Sequence, residues 1–152
     1  MSKQDPEILI VGAGAMGALF GSILFENGRD VVLYDTDTAH IKAIQENGLK
    51  IEGFGGNRSV SIPATTDLGF LNSAELILFQ CKAQSTCLAA QSVKHLIKEN
   101  SICISFQNGL GNEELISEEL GQTHVLGGVT AMAAVLLGPG KLKDFSRVPS
   151  QI

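Results

Sequence analysis

The strongest constraint on this chain lies in its first seventeen residues. Ile8-Leu-Ile-Val11 is an unbroken apolar run, and Gly12-Ala-Gly-Ala-Met-Gly17 follows it directly. A strand that is apolar at every position has both faces covered, which is the habit of parallel sheets. Glycines in the spacing G-x-G-x-x-G then permit a tight turn at Gly12, a close backbone approach at Gly14 and close helix–strand packing at Gly17. Ala15 to Asn27 reads as the helix that this turn opens, with Gly28 as its left-handed stop. Its first-turn N–H groups, near Ala15 and Met16, are unpaired within a helix and suit phosphate oxygens. In a chain with 17 glycines the spacing alone is a weak signal. The strand before it and the helix after it give it meaning.

Val31-Val-Leu-Tyr34 is a second buried strand, closing on Asp35, and Thr36 to Asn47 follows as a helix with Gly48 as its stop. Asp35 stands 23 residues after Gly12, close to the spacing at which an acid receives the adenosine ribose hydroxyls of a dinucleotide. The alternative is a solvated aspartate that helps to cap the next helix through Thr36-Asp37. A carboxylate at this place also repels a 2′-phosphate: two like charges ~4 Å apart at an effective dielectric of ~20 cost about 4 kcal/mol before screening. No Arg adjoins to receive that phosphate, so these residues favour NAD(H) over NADP(H).

Farther on, Leu49 to Glu52 and Arg58 to Ile62 read as a hairpin or excursion around Gly53-Phe-Gly-Gly-Asn57. Glu75 to Phe79 resumes the buried-strand pattern. Ser85 to Glu99 reads as a helix with Leu88, Ser92, Leu96 and Ile97 near one face. Ser101 to Phe106 is the next strand, Asn112 caps a short helix, and Thr123 to Val125 and Val129 to Leu137 read as further strands. Gly138-Pro-Gly140 is a turn, and the polar stretch from Lys141 to Ile152 has no evident place in the core. The alternation predicts an α/β fold: a Rossmann-like, doubly wound, mostly parallel sheet with extra strands at its carboxyl-terminal end. Residues 1–140 form the dinucleotide-binding domain in this reading, and 141–152 a tail or the start of a connection.

Composition excludes several classes. With 44% hydrophobic and 18% charged residues, the chain has ample material for a core and is not intrinsically disordered. A net charge of −5 without a basic cluster offers little to a nucleic-acid backbone. Cys81, Cys87 and Cys103 are sparse, odd in number and without zinc-knuckle spacing; they read as small buried hydrophobes in a reducing compartment, with no metal site. Ile8 to Phe25 carries no charge, but four glycines interrupt it and no positive segment precedes it, so neither a membrane span nor a secretory signal is expected. The cytoplasm is the default compartment.

Ligands of such sheets bind beyond the carboxyl ends of the strands. Lys82 and Asn108 each follow a predicted strand there, beside the glycine turn. Alone, each has an ordinary reading as a surface charge or a turn former; together they are the candidate chemical groups. Asn108 would orient a carboxamide or a substrate hydroxyl, and Lys82 a carboxylate or ribose oxygen. His40, His95 and His124 have no acid at local spacing and read as surface or structural residues.

The glycine turn, Ile41-Lys-Ala-Ile-Gln-Glu-Asn-Gly-Leu-Lys-Ile51, Cys81-Lys-Ala83, Gln107-Asn-Gly109, Val125-Leu-Gly-Gly-Val-Thr130 and Gly138-Pro-Gly140 occur in that order. Over roughly residues 7 to 141 this set resembles the amino-terminal, NAD(P)-binding half of the 2-dehydropantoate 2-reductases (ketopantoate reductases). The resemblance implies NADPH-dependent reduction of 2-dehydropantoate to (R)-pantoate, a step towards pantothenate and coenzyme A. It implies a place for Lys82 at the cofactor and substrate crevice and for Asn108 at the substrate or nicotinamide. Two departures stand against the pattern. Members commonly carry Arg after the second strand, where this chain has Tyr34-Asp-Thr-Asp37. The family's helical carboxyl-terminal domain, source of its general-acid lysine, has no counterpart before Ile152, so the expectation is weak or no turnover by this chain alone. Two alternatives stay open: an NAD-dependent 2-hydroxyacid dehydrogenase of the same superfamily, and a non-catalytic dinucleotide-binding module. The 2-oxo acid itself and a homodimer are also left open.

Overall fold

The computed structural model describes residues 5–121 and 124–146. Strand β1 (Ile8–Val11) leads into helix α1 (Ala15–Glu26), β2 (Val31–Tyr34) and α2 (Thr38–Asn47). A hairpin of β3 (Leu49–Gly53) and β4 (Arg58–Val60) interrupts the alternation, which resumes with the two-residue β5 (Ala64–Thr65). Then come β6 (Leu76–Phe79), α3 (Thr86–Val93), β7 (Ile102–Ser105), α4 (Asn112–Leu120), β8 (Val125–Gly127), β9 (Ala134–Gly138) and β10 (Lys141–Asp144).

The main sheet has six strands in the order β5-β2-β1-β6-β7-β8, every pair parallel. The chain moves outward from β1 through β2 to β5, then returns to the other side of β1 with β6. The order therefore reverses between β1 and β6, the place where open α/β sheets bind ligands. Side chains alternate across this sheet, and both faces are covered. Ile8 and Ile10 join Leu19, Leu33, Ile41 and Ile44 on one side; Leu9 and Val11 join Phe79, Val93, Leu96 and Ile116 on the other. That double coverage explains why β1 has no polar position at all. Helix α1 lacks a polar face for the same reason: Gly17 through Ser22 are all buried.

A second sheet, β4-β3-β10-β9, packs its buried residues into the first core. The hairpin of β3 and β4 is antiparallel as expected, and Arg58 Nε anchors it to α1 by donating to both carboxylate oxygens of Glu26, at 3.0 and 3.1 Å. Residues 141–144 are not a tail. Lys141–Asp144 form the inner strand β10, paired with β3 and β9, and Leu142 is fully buried. Its alternating pattern, with buried Leu142 between two half-buried lysines, is too short to stand out in a polar context. Residues 147–152 lie outside the described ones. Leu142→Ala is expected to cost about 2–5 kcal/mol, and a lowered thermal midpoint at unchanged secondary structure content would show it.

Other differences are local. The predicted helix from Ser85 to Glu99 is shorter: α3 ends at Val93, and a 3₁₀ turn covers Lys94–Leu96. Its buried face is Thr86, Ala90 and Val93, while Leu88 is 71% exposed. Asn112 does not cap α4. Gly111, at φ +87°, takes the cap position, and Asn112 is the first helical residue with its side chain buried. The long strand expected over Val129 to Leu137 is confined to Ala134–Gly138, because the Thr130 hydroxyl accepts the Met132 N–H and forms a local turn instead. Thr123 lies outside the described residues. His40 is buried, and its Nδ1 accepts the Gly140 N–H at 3.1 Å, which makes it a structural link between α2 and the turn before β10.

Candidate dinucleotide site

The glycine turn has the shape that its spacing predicts. Gly12 has φ +99°, and a side chain there would run into the backbone of Gln80 and Cys81 at the end of β6. At Gly17 a Cβ would overlap the Gly12 carbonyl oxygen, so α1 can begin this close to the strand only without one. Gly14 is the opposite case: a Cβ would meet nothing within 4 Å. The space in front of it is open. Gly14 is also the cap residue of α1, no side chain caps the helix, and no acid occupies its first turn. The N–H groups of Ala15, Met16 and Gly17 therefore start a helix whose positive end is free for an anion.

From this turn a crevice of about 360 Å³ runs across the carboxyl ends of β1, β2 and β6. Gly12, Gly14, Asp35, Lys82, Leu88 and Ser92 are among the residues that line it. The pattern of the sequence puts Leu88 and Ser92 on the apolar face of a helix, whereas here they line the crevice.

Asp35 is held in place from two sides. Its N–H donates to the Thr65 carbonyl of β5 at 3.3 Å, and its Oδ1 accepts the Asp37 N–H at 3.0 Å. The cap of α2 is Asp37, whose carboxylate accepts the His40 N–H at 3.0 Å. Helix capping thus leaves the second oxygen of Asp35 available at the crevice. Burial raises the Cys81 thiol above its ordinary value, with the Asp35 carboxylate acting in the same direction. Burial pushes Cys103 up to about 11. Both stay neutral thiols, but only Cys103 is buried as the sequence suggests; Cys81 lines the crevice, and the half-buried Cys87 donates to Glu119 Oε1 at 3.0 Å. Among the described residues no cluster of His, Cys, Asp and Glu could hold a metal ion.

Lys82 and Asn108 are both exposed, each just past the carboxyl end of a strand, but of the two only Lys82 lines this crevice. Asn108 stands at the end of β7 in a loop fastened from below: Asn112 Nδ2 donates to the carbonyls of Asn108 and Gly109 at 3.3 and 3.4 Å. Residues that local spacing did not reveal, Thr86, Gln107 and Asn112, converge under the two loops.

A reversal of strand order, a glycine turn into an uncapped helix and an acid at the end of the second strand together define a Rossmann-like dinucleotide-binding unit. The described helices include none long and apolar enough to cross a membrane. Comparison with known proteins narrows the class. Residues 8–148 match the family model described as "Ketopantoate reductase PanE/ApbA". The 2-dehydropantoate 2-reductase of Pyrococcus abyssi is 41% identical over 137 residues, which are 90% of this chain and 44% of that protein. Among solved structures, D-mandelate dehydrogenase with NADH and anilino(oxo)acetate superimposes with a TM-score of 0.86 at 31% identity, over 91% of this chain and 45% of that one. A PanE/ApbA family ketopantoate reductase from Ralstonia eutropha JMP134 gives 0.84 at 30%, over 92% and 46%. The chain belongs to the ketopantoate reductase PanE/ApbA family, and it spans about half the length of the curated relatives it matches.

Proposed function

We propose that this chain binds a nicotinamide dinucleotide in the crevice and presents it for the reduction of a 2-oxo acid, with 2-dehydropantoate as the substrate and (R)-pantoate as the product. The single observation that carries the reading is the open, uncapped start of α1 at Gly14 beside Asp35, in one continuous crevice. The N–H groups of Ala15, Met16 and Gly17 would hold the pyrophosphate, and Gly12 and Gly17 keep the turn tight enough to present them. Asp35 would accept the adenosine ribose hydroxyls, each charge-assisted bond contributing about 1.5–3 kcal/mol. Leu88 offers an apolar wall for a flat base. A dinucleotide held there would supply a hydride to the ketone carbon, and the resulting alkoxide would take its proton from water. Lys82, at the carboxyl end of β6, would pair with a carboxylate or ribose oxygen, and Asn108 would orient the carboxamide or the substrate hydroxyl.

Asp35 favours NADH as the partner, although the named activity of the relatives is associated through the family with NADPH. The same residue supports a second reading, an NAD-dependent 2-hydroxyacid dehydrogenase, because a structural neighbour of that chemistry carries NADH. Titration of the chain with NADH and NADPH, followed by nucleotide fluorescence, tests the reading. Binding of NADH at least tenfold tighter than NADPH is expected, with further quenching when a 2-oxo acid is added. Absence of binding to either nucleotide would remove the proposal, and binding without any response to 2-oxo acids would favour a non-catalytic module.

A further inference from the structure

The loops that carry Lys82 and Asn108 are joined by a circuit of hydrogen bonds lying beneath them. Its centre is Thr86, the first residue of α3, whose side chain is fully buried. Its hydroxyl lies 2.8 Å from Gln107 Nε2 and 3.1 Å from Asn112 Oδ1. Donor and acceptor roles follow from chemistry. An amide nitrogen only donates, so the hydroxyl accepts from Gln107 and gives its one proton to Asn112 Oδ1. That leaves Asn112 Nδ2 to donate to the carbonyls of Asn108 and Gly109 at 3.3 and 3.4 Å. Gln107 Nε2 also donates to the Cys81 carbonyl at 2.8 Å, and its Oε1 accepts from Ser105 Oγ at 3.2 Å. The residue before Lys82 is thereby tied to Asn108 itself through three side chains.

We propose that Thr86 is a positioning residue: its hydroxyl fixes the Lys82 loop against the Asn108 loop, and with them the alignment of a 2-oxo acid on the dinucleotide. The inference rests on the function proposed above. Neither loop belongs to the sheet ladder, so neither inherits its geometry from strand pairing. Among the described residues Thr86 bonds to both Gln107 and Asn112, the two flanks of the Asn108 loop, and so adds to the direct bond from Gln107 to the Cys81 carbonyl. A valine has nearly the same shape but can neither donate nor accept. It would leave Asn112 Oδ1 without its donor in a buried place and Gln107 with one acceptor fewer. A misplacement of about 1 Å between reacting groups can cost ~10²-fold in rate.

The test compares Thr86→Val with Thr86→Ser, which keeps the hydroxyl. Amide hydrogen exchange over residues 81–86 and 107–112 reads the clamp without any ligand. Thr86→Val is expected to speed exchange in both segments at least tenfold while the β1 and β6 amides keep their protection, and Thr86→Ser to restore it. In the native protein, kcat/KM for the 2-oxo acid is expected to fall ~10–100-fold in Thr86→Val, with the Kd for dinucleotide changed less than threefold. Thr86→Ser is expected within threefold of the parent. Unchanged exchange in Thr86→Val overturns the clamp. Faster exchange with unchanged kcat/KM, or a Thr86→Ser variant as impaired as Thr86→Val, overturns the positioning role. If the parent protein neither binds dinucleotide nor reduces a 2-oxo acid, the proposed function and the catalytic part of this inference fall together, and the exchange result still decides the clamp.

Discussion

Gly14→Val is expected to fold like the parent chain and to lose dinucleotide binding by at least a hundredfold. Gly14 has φ −61° and ψ −169°, an extended conformation that a β-branched residue adopts freely, and its Cβ would enter open space. The cost to the fold is the poorer helix cap, about 1 kcal/mol. That same open space is where a pyrophosphate must approach the backbone. Losing two charge-assisted bonds at about 1.5–3 kcal/mol each exceeds the ~2.7 kcal/mol that a hundredfold represents. Gly12→Val is the control with the opposite outcome. At φ +99° a valine is strained, and its side chain meets the backbone of Gln80 and Cys81. Backbone strain and overpacking together cost about 2–6 kcal/mol. Thermal unfolding with and without NADH separates the two variants. A Gly14→Val chain that still binds NADH as the parent does would place the ligand elsewhere.

The second large effect concerns Asp35. Asp35→Asn keeps an oxygen to accept the Asp37 N–H, so the turn after β2 survives while the charge is removed. Binding of NADH is expected to weaken about tenfold, as bonds to a carboxylate become bonds to a neutral amide. Binding of NADPH is expected to tighten, because the like-charge repulsion, about 4 kcal/mol before screening, disappears. The preference for NADH should therefore shrink by 10²-fold or so, enough to turn a tenfold preference towards NADPH, and adding Thr36→Arg should push it further by supplying a guanidinium to the 2′-phosphate. Rising salt should shrink the discrimination of the parent chain, since the Debye length falls to ~8 Å at physiological ionic strength. Equal affinity for both nucleotides in parent and variant would show that Asp35 does not face the ribose.

Sequence legibility varied with the range of the interactions involved. Strands β1, β2 and β6 were legible because coverage on both faces leaves a continuous apolar run, and the glycine turn because its backbone geometry admits few other residues. The antiparallel hairpin of β3 and β4 was legible from its own turn glycines. Strand β5 was not: two residues carry no periodicity, yet Thr65 holds the backbone of Asp35. Strand β10 was hidden because only one of its side chains is an apolar core residue, Leu142, and its partner β3 lies some ninety residues earlier. The buried face of α3 was not legible because the helix packs through Thr86, Ala90 and Val93, and leaves its one leucine at the crevice.

The sequence by itself determined the glycine turn, the helix that it opens, the acid at the end of the second strand and the alternation of β1, α1, β2 and α2. Each of these rests on local backbone geometry or on periodicity over a few residues. Tertiary structure alone decided that β10 completes a second sheet against the hairpin, that Thr65 braces Asp35, and that Thr86 links two loops through Gln107 and Asn112. Those contacts join residues far apart in the chain, and a polar side chain shows which partner it has only when folding brings that partner within hydrogen-bond distance.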